Sequence, residues 1–125
     1  MKQKTILFAA IFGATAVGLG AFGAHAFKDL LEETGRVATY ETATKYHFYH
    51  AIVLLFVGLW MDEENYNQLK ITAYLFAFGI LLFSGSLYIL CLTNTPAWGA
   101  VTPIGGLLFL IGWVMLGIQA IKKPV

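Results

Sequence analysis

Long uncharged stretches alternate along this chain with short stretches where charge is crowded. Thr5 to Ala24 carries no charged residue, and Ile71 to Ile121 contains no Asp, Glu, Lys, Arg or His at all. Twenty residues at the helical rise cover about 30 Å, the hydrocarbon thickness of a bilayer. The first run therefore predicts a membrane span over residues 5–24. Asp62, Glu63 and Glu64 enter lipid only at high cost, so counting back from Met61 predicts a second span over 42–61. Asn65 to Lys70 reads as a short polar turn. The long uncharged run divides at Thr93 to Gly99, where Pro96 and Trp98 mark a tight connection between antiparallel helices. Its halves predict spans over 71–92 and 100–121, the last with Thr102-Pro103 in its first turn, where a missing N–H costs nothing. The expected fold class is an all-α membrane protein, a four-transmembrane-helix bundle forming a single membrane domain over residues 1–125.

Within the first span the small residues fall at helical spacing. Ala9, Gly13, Ala16, Gly20 and Ala24 line one face, and Ala10, Ala14 and Gly18 a neighbouring one. Helices in lipid gain little by hiding apolar surface and associate by close backbone approach. These two smooth faces therefore predict two partner helices and put the first helix at the centre of the bundle. Gly13, Gly20, Gly23, Gly85, Gly105 and Gly106 are the expected packing positions. Lys2 and Lys4, the apolar run and Ala24-His25-Ala26 imitate a secretory signal with its cleavage site. The run exceeds a signal's apolar core and its glycines are spaced for packing, so a retained helix is expected.

The polar residues between the runs are unevenly placed. Ala26 to Thr39 holds Lys28, Asp29, Glu32, Glu33 and Arg36, with Phe27, Leu30, Leu31 and Thr34 at roughly helical spacing opposite them. That pattern fits a short amphipathic surface helix ended by Gly35, or a solvated loop. In the second span Ala43, His47, His50, Leu54, Val57 and Met61 share one face. Ionisable groups within a membrane usually turn to the bundle interior, so this face should point inward. Trp60, Tyr66 and Tyr74 at one level, and Tyr40, Tyr46, Tyr88 and Trp98 at the other, suit interfacial aromatic belts. Both termini fall on the side that collects Lys2, Lys4, Lys70, Lys122 and Lys123, against Lys28, Arg36 and Lys45 on the other. Five against three favours cytoplasmic termini. His25, Tyr46, His50, Ser84 and Ser86 then form a polar cluster in the outer half, the candidate binding site.

Composition narrows the chemistry. Of 125 residues 58% are hydrophobic and 12% charged, half the charge of a soluble domain, roughly 25%. With a net charge of +1 and no basic cluster beyond Lys122 and Lys123, nucleic acid is not an expected partner. The lone Cys91 has no second thiol for a disulfide or metal pair. Ser84 and Ser86 lack a base at short spacing, nothing matches G-x-S-x-G, and no glycine-rich phosphate loop follows a strand. No catalytic residue, and no metal site, is assigned.

GAFGAH at Gly20 to His25, YETATKYHFYHAIVLL at Tyr40 to Leu55, FSGSLYIL at Phe83 to Leu90 and TPIGG at Thr102 to Gly106 together resemble small bacterial membrane proteins of the domain-of-unknown-function family 423, the YgdD and YwdK type. The resemblance covers essentially the whole chain and implies a four-span inner-membrane protein. The matching positions are Gly20, Gly23, His25, Tyr40, Ala43, Tyr46, His50, Ser84, Gly85, Pro103 and Gly105. His47 and Cys91 stand outside the match. The resemblance carries over no catalytic residues.

Three readings of function follow. The first is a small accessory or binding component of the inner membrane, touching membrane lipid and working as a homo-oligomer or beside a larger membrane complex, with His50 and the serines bonding across helices. The second is a haem or metal protein with His25 and His50 as ligands from consecutive antiparallel helices, although His25 lies near the surface and His50 deeper. The third is an outer-facing solute or proton site centred on His50, where His50→Ala should matter more than His47→Ala.

Overall fold

The computed structural model describes residues 1–123. Among these there are helices and no strand. In chain order they are α1 (Lys2–Ala24), α2 (Lys28–Thr34), α3 (Val37–Trp60), α4 (Tyr66–Gly79), a π turn (Ile80–Ser84), α5 (Gly85–Thr93), a 3₁₀ turn (Pro96–Ala100) and α6 (Thr102–Lys122). The segment from Tyr66 to Thr93 is one continuous rod. By length and composition, three helices suffice to cross a membrane: Lys2–Ala24, Tyr66–Thr93 and Pro96–Lys122. The expectation of four spans is reduced to these three on that measure. Helix α3 reaches 24 residues, but Glu41, Lys45 and His47 lower the apolar content of its first half, and His50 follows just beyond it.

Several boundaries move. Asn65 to Lys70 is not a polar turn. Asp62 and Asn65 close a compact loop, with the Asp62 N–H donating to Asn65 Oδ1 at 2.8 Å and Asn65 Nδ2 donating to the Trp60 carbonyl at 3.0 Å; α4 starts directly afterwards. The charged stretch after α1 forms the short helix α2, and Gly35 ends it in the left-handed conformation at φ 68°. That conformation costs a side-chain-bearing residue roughly 1 kcal/mol or more. The chain then re-enters a helix at Val37, five residues before the expected start.

The rods run antiparallel, and α3 is the hub. It packs along α1, along α4 and the π turn, and against α5. Its inward face is Tyr40, Ala43, His47, His50, Ala51, Leu54, Val57 and Gly58, the face that its helical spacing selects. The expected central place of α1 is corrected: α1 lies along α3 and makes only marginal contact with the long rods beyond it. The physical reason is volume. A side chain added at Gly13, Gly18 or Gly20 would meet nothing within 4 Å, so these glycines border open space. Gly85 is open in the same way, while Gly106 sits at ordinary distance, 3.7 Å, from the Phe83 ring.

Close approach occurs elsewhere. A Cβ at Gly105 would lie 2.7 Å from Phe83 Cα, one at Gly112 2.9 Å from the Phe76 ring, and one at Gly58 2.9 Å from Ile6. Gly23 lies beneath the Tyr40 ring. Two apolar clusters result. One gathers Leu54, Val57, Met61, Leu69, Phe76, Ile80 and Phe109. The other gathers Leu31, Tyr40, Ala43, Leu87, Tyr88, Leu90 and Cys91. Tyr40 and Tyr88 are thus core residues and leave the expected aromatic belt.

Candidate functional site

Between the two apolar clusters lies a polar layer, and α3 supplies its centre. His47 and His50 are both 4% exposed. Because α3 begins at Val37, His50 stands thirteen residues in, about 20 Å along a helix about 36 Å long. Both imidazoles therefore lie near mid-helix, His47 just before the midpoint and His50 just after it.

Three residues apart, the two rings diverge by about 60° around the helix axis and reach different neighbours. His50 Nδ1 lies 2.7 Å from the Tyr46 carbonyl, an acceptor only, so Nδ1 carries the proton. Nε2 then accepts from Trp113 Nε1–H at 3.1 Å. The ring stacks on Phe109 with centroids 3.6 Å apart and planes 8° apart, and Phe76 flanks it. His47 turns the other way. Thr15 Oγ1 donates to the Phe12 carbonyl at 3.0 Å, which leaves its lone pairs facing His47 Nε2 at 3.2 Å. His47 Nε2 is then the donor and Nδ1 accepts from the Tyr88 hydroxyl at 2.8 Å. His47 thus joins α1, α3 and α5, and His50 joins α3 to α6.

The serines diverge for the same reason. Two residues apart on a helix means about 200°. Ser84 donates to the Ala43 carbonyl of α3 at 2.8 Å, and Ser86 meets Thr102 of α6 at 2.6 Å. Tyr46 is 42% exposed and contributes its carbonyl to His50, with its ring against Phe83. His25 is exposed at the end of α1. The five residues expected to form one outer cluster therefore occupy four separate places. His47, left out of that set, bonds to two other side chains, where His50 and Ser86 each bond to one. Its place on the inward face with Ala43 and His50 was the available signal; nothing in the spacing pointed to Thr15, Tyr88 or Trp113.

His47, His50, Ser84 and Ser86 each already have hydrogen-bond partners. Ser84 has no base beside it, and its proton is committed to a carbonyl. Among the described residues no three His, Cys, Asp or Glu side chains gather as a metal would need. His50 Nε2 accepts from Trp113, while His25 is exposed at the end of α1. The rings of Phe76, Phe109 and Trp113 surround the His50 imidazole. The open polar recess is elsewhere. It measures about 260 Å³ and lies where the end of α1, α2 and the start of α3 meet, bordered by Lys28, Glu32, Tyr40, Glu41 and Thr44.

At the opposite end, Lys123 binds Asp62 at 2.6 Å and Glu64 at 3.0 Å, which ties the end of α6 to the α3–α4 turn. The ammonium of Lys123, together with the Asn65 and Glu64 backbone N–H groups, holds the Asp62 carboxyl below its ordinary range. Asp62, then Glu64, hold Lys123 above its own.

Apolar rods joined through a sealed polar layer, and large hydrophobic side chains turned outward along every rod, define a helical membrane protein. The comparisons agree. A family model described as "Protein of unknown function (DUF423)" matches residues 19–106. A UPF0382 membrane protein of Staphylococcus epidermidis is 44% identical over 117 residues, 94% of each chain. UPF0382 membrane protein YwdK of Bacillus subtilis is 40% identical over 118 residues, 94% of this chain and 95% of the relative. UPF0382 inner membrane protein YgdD of Escherichia coli is 35% identical over 117 residues, 94% and 88%. The chain belongs to the DUF423 family of membrane proteins. No solved structure matches it.

Proposed function

We propose that the chain is a four-span inner-membrane protein, a single membrane domain with both termini in the cytoplasm, acting as a small accessory or binding component within the bilayer. One observation carries this reading. His47, His50, Ser84 and Ser86 are all bonded to neighbouring helices, so the buried polar groups hold the bundle together, while the flank of α1 stays open to the lipid. Support for α3 as the fourth span comes from its length, about 36 Å, and its antiparallel place between α1 and the Tyr66–Thr93 rod. The name of YgdD supports the inner membrane, and the lysine excess on the terminal side supports the orientation.

Reporter fusions test the topology. A reporter active only in the cytoplasm should work at Met1 and at Val125, and one active only outside should work near Gly35 and near Thr95. Signal from an exterior reporter at either terminus would overturn it. The accessory role predicts that purification in a mild detergent retains a companion, protein or lipid. A bare monomer under every mild condition would remove it.

A further inference from the structure

The recess beside Lys28 does not end at the rim. Through Gly20 and Thr44 it continues into a second hollow bordered by Val17, Lys45, Phe48 and Tyr49. Through Val17 and Phe48 that hollow opens into a third, lined by Ala10, Gly13, Ala14, Ile52 and Leu55. The result is one groove between α1 and α3, charged at its outer mouth and apolar below. From Gly20 to Ala10 it runs about 15 Å, the depth of one leaflet. The glycines of α1 leave this space empty, as a Cβ at Gly13 or Gly20 would touch nothing within 4 Å.

The mouth carries both signs of charge. Lys28 and Glu32 stand one turn apart on α2, and Glu41 and Lys45 one turn apart on α3. Among the described residues the ion pairs belong to Lys123 alone, so none of these four side chains has a charged partner. A headgroup that is itself two-signed, over an acyl chain, matches this order of chemistry. The lysines meet phosphate, and the carboxylates meet an ammonium.

We propose that the α1–α3 groove holds a membrane phospholipid with a primary ammonium headgroup, phosphatidylethanolamine in kind, its acyl chain along Gly20 and Gly13 and its headgroup between Lys28, Lys45, Glu32 and Glu41. This rests on the membrane-spanning reading above and names the ligand of the open flank. Two carboxylates disfavour a purely anionic headgroup. They favour a primary ammonium over a quaternary one, because only the primary group has N–H donors to offer.

The full-length protein in mild detergent, given equal amounts of phosphatidylethanolamine, phosphatidylglycerol and phosphatidylcholine with identical chains, is read by native mass spectrometry. Phosphatidylethanolamine should be retained about fivefold over the others, the scale of one well-formed exposed ion pair. Glu32→Gln with Glu41→Gln should level the three. Gly20→Leu, whose Cβ meets nothing within 4 Å, should reduce retention of all three at unchanged helix content. Equal retention of the three lipids by the unmodified protein, or full retention by the leucine variant, would overturn the proposal. So would a lipid-free dimer cross-linked through a Gly13→Cys variant, because a second copy would then occupy the groove. Reporter fusions that hold while lipid preference is absent sink this inference alone; fusions that fail sink the topology.

Discussion

The Nε2 of His50 accepts a hydrogen bond from the indole of Trp113, and the proton on its other nitrogen is fixed by the Tyr46 carbonyl. One tautomer of one side chain thus links α3 to α6, whose backbones barely meet. Polar bonds between membrane helices average roughly 0.6 kcal/mol and reach about 1.7. A double-mutant cycle of His50→Leu and Trp113→Phe should return a coupling in that range, measured by unfolding in detergent. Additive effects would show that the two residues act independently.

His47 bonds to two helices, and His50 through its side chain to one. His47→Ala should therefore destabilise the bundle at least as much as His50→Ala, by about 2 kcal/mol given the cavity and the orphaned Tyr88 hydroxyl. Thermal unfolding of the two variants side by side checks this. A clearly smaller loss for His47→Ala would show that its bonds to α1 and α5 add little to stability.

Glycines of the same appearance should separate sharply. Gly105→Ala sets a methyl 2.7 Å from the Phe83 Cα, where backbone must move, and should cost about 3 kcal/mol or prevent folding. Gly13→Ala, facing open space, should be neutral or gain about 0.5 to 1 kcal/mol from helix propensity. Similar melting temperatures for both variants would contradict this geometry.

The Lys123–Asp62 pair gives a pH window. The Asp62 carboxyl is held low, so its contribution is present above the unfolded value near 4 and lost as pH falls through the lower folded one. Lys123 is held high, so its contribution is present below the unfolded value near 10 and lost as pH rises through the folded one. Lys123→Ala should lower the melting temperature slightly across neutral pH, and less in strong acid or high salt. A difference that ignores both pH and salt would refute the pairing.

How much could be seen in the chain beforehand differs from helix to helix. The inward face of α3 was legible because imidazoles and small residues recur together at helical spacing, and lipid tolerates neither charge nor unpaired polarity. The stop at Gly35 was legible as well. The place of α1 was not, since a ridge of glycine and alanine signals close approach and open groove equally, and only the neighbour's position decides. The start of α3 was missed because the helix extends to Val37, and there Tyr40 covers Gly23 and bonds the Leu19 carbonyl. Pairings such as Ser86 with Thr102 depend on how rods are turned, which spacing within one rod does not record.

The π turn at Ile80–Ser84 amounts to one inserted residue in an otherwise regular rod. A residue changes azimuth by about 100°, so this insertion sets the phase of all that follows it. Excising a single residue there would leave hydropathy and length almost untouched, yet it would swing Ser86, Tyr88 and Cys91 a quarter turn out of alignment. The rod behaves as two keys cut on one shaft, and the bulge is the joint that keeps both cuts facing their locks.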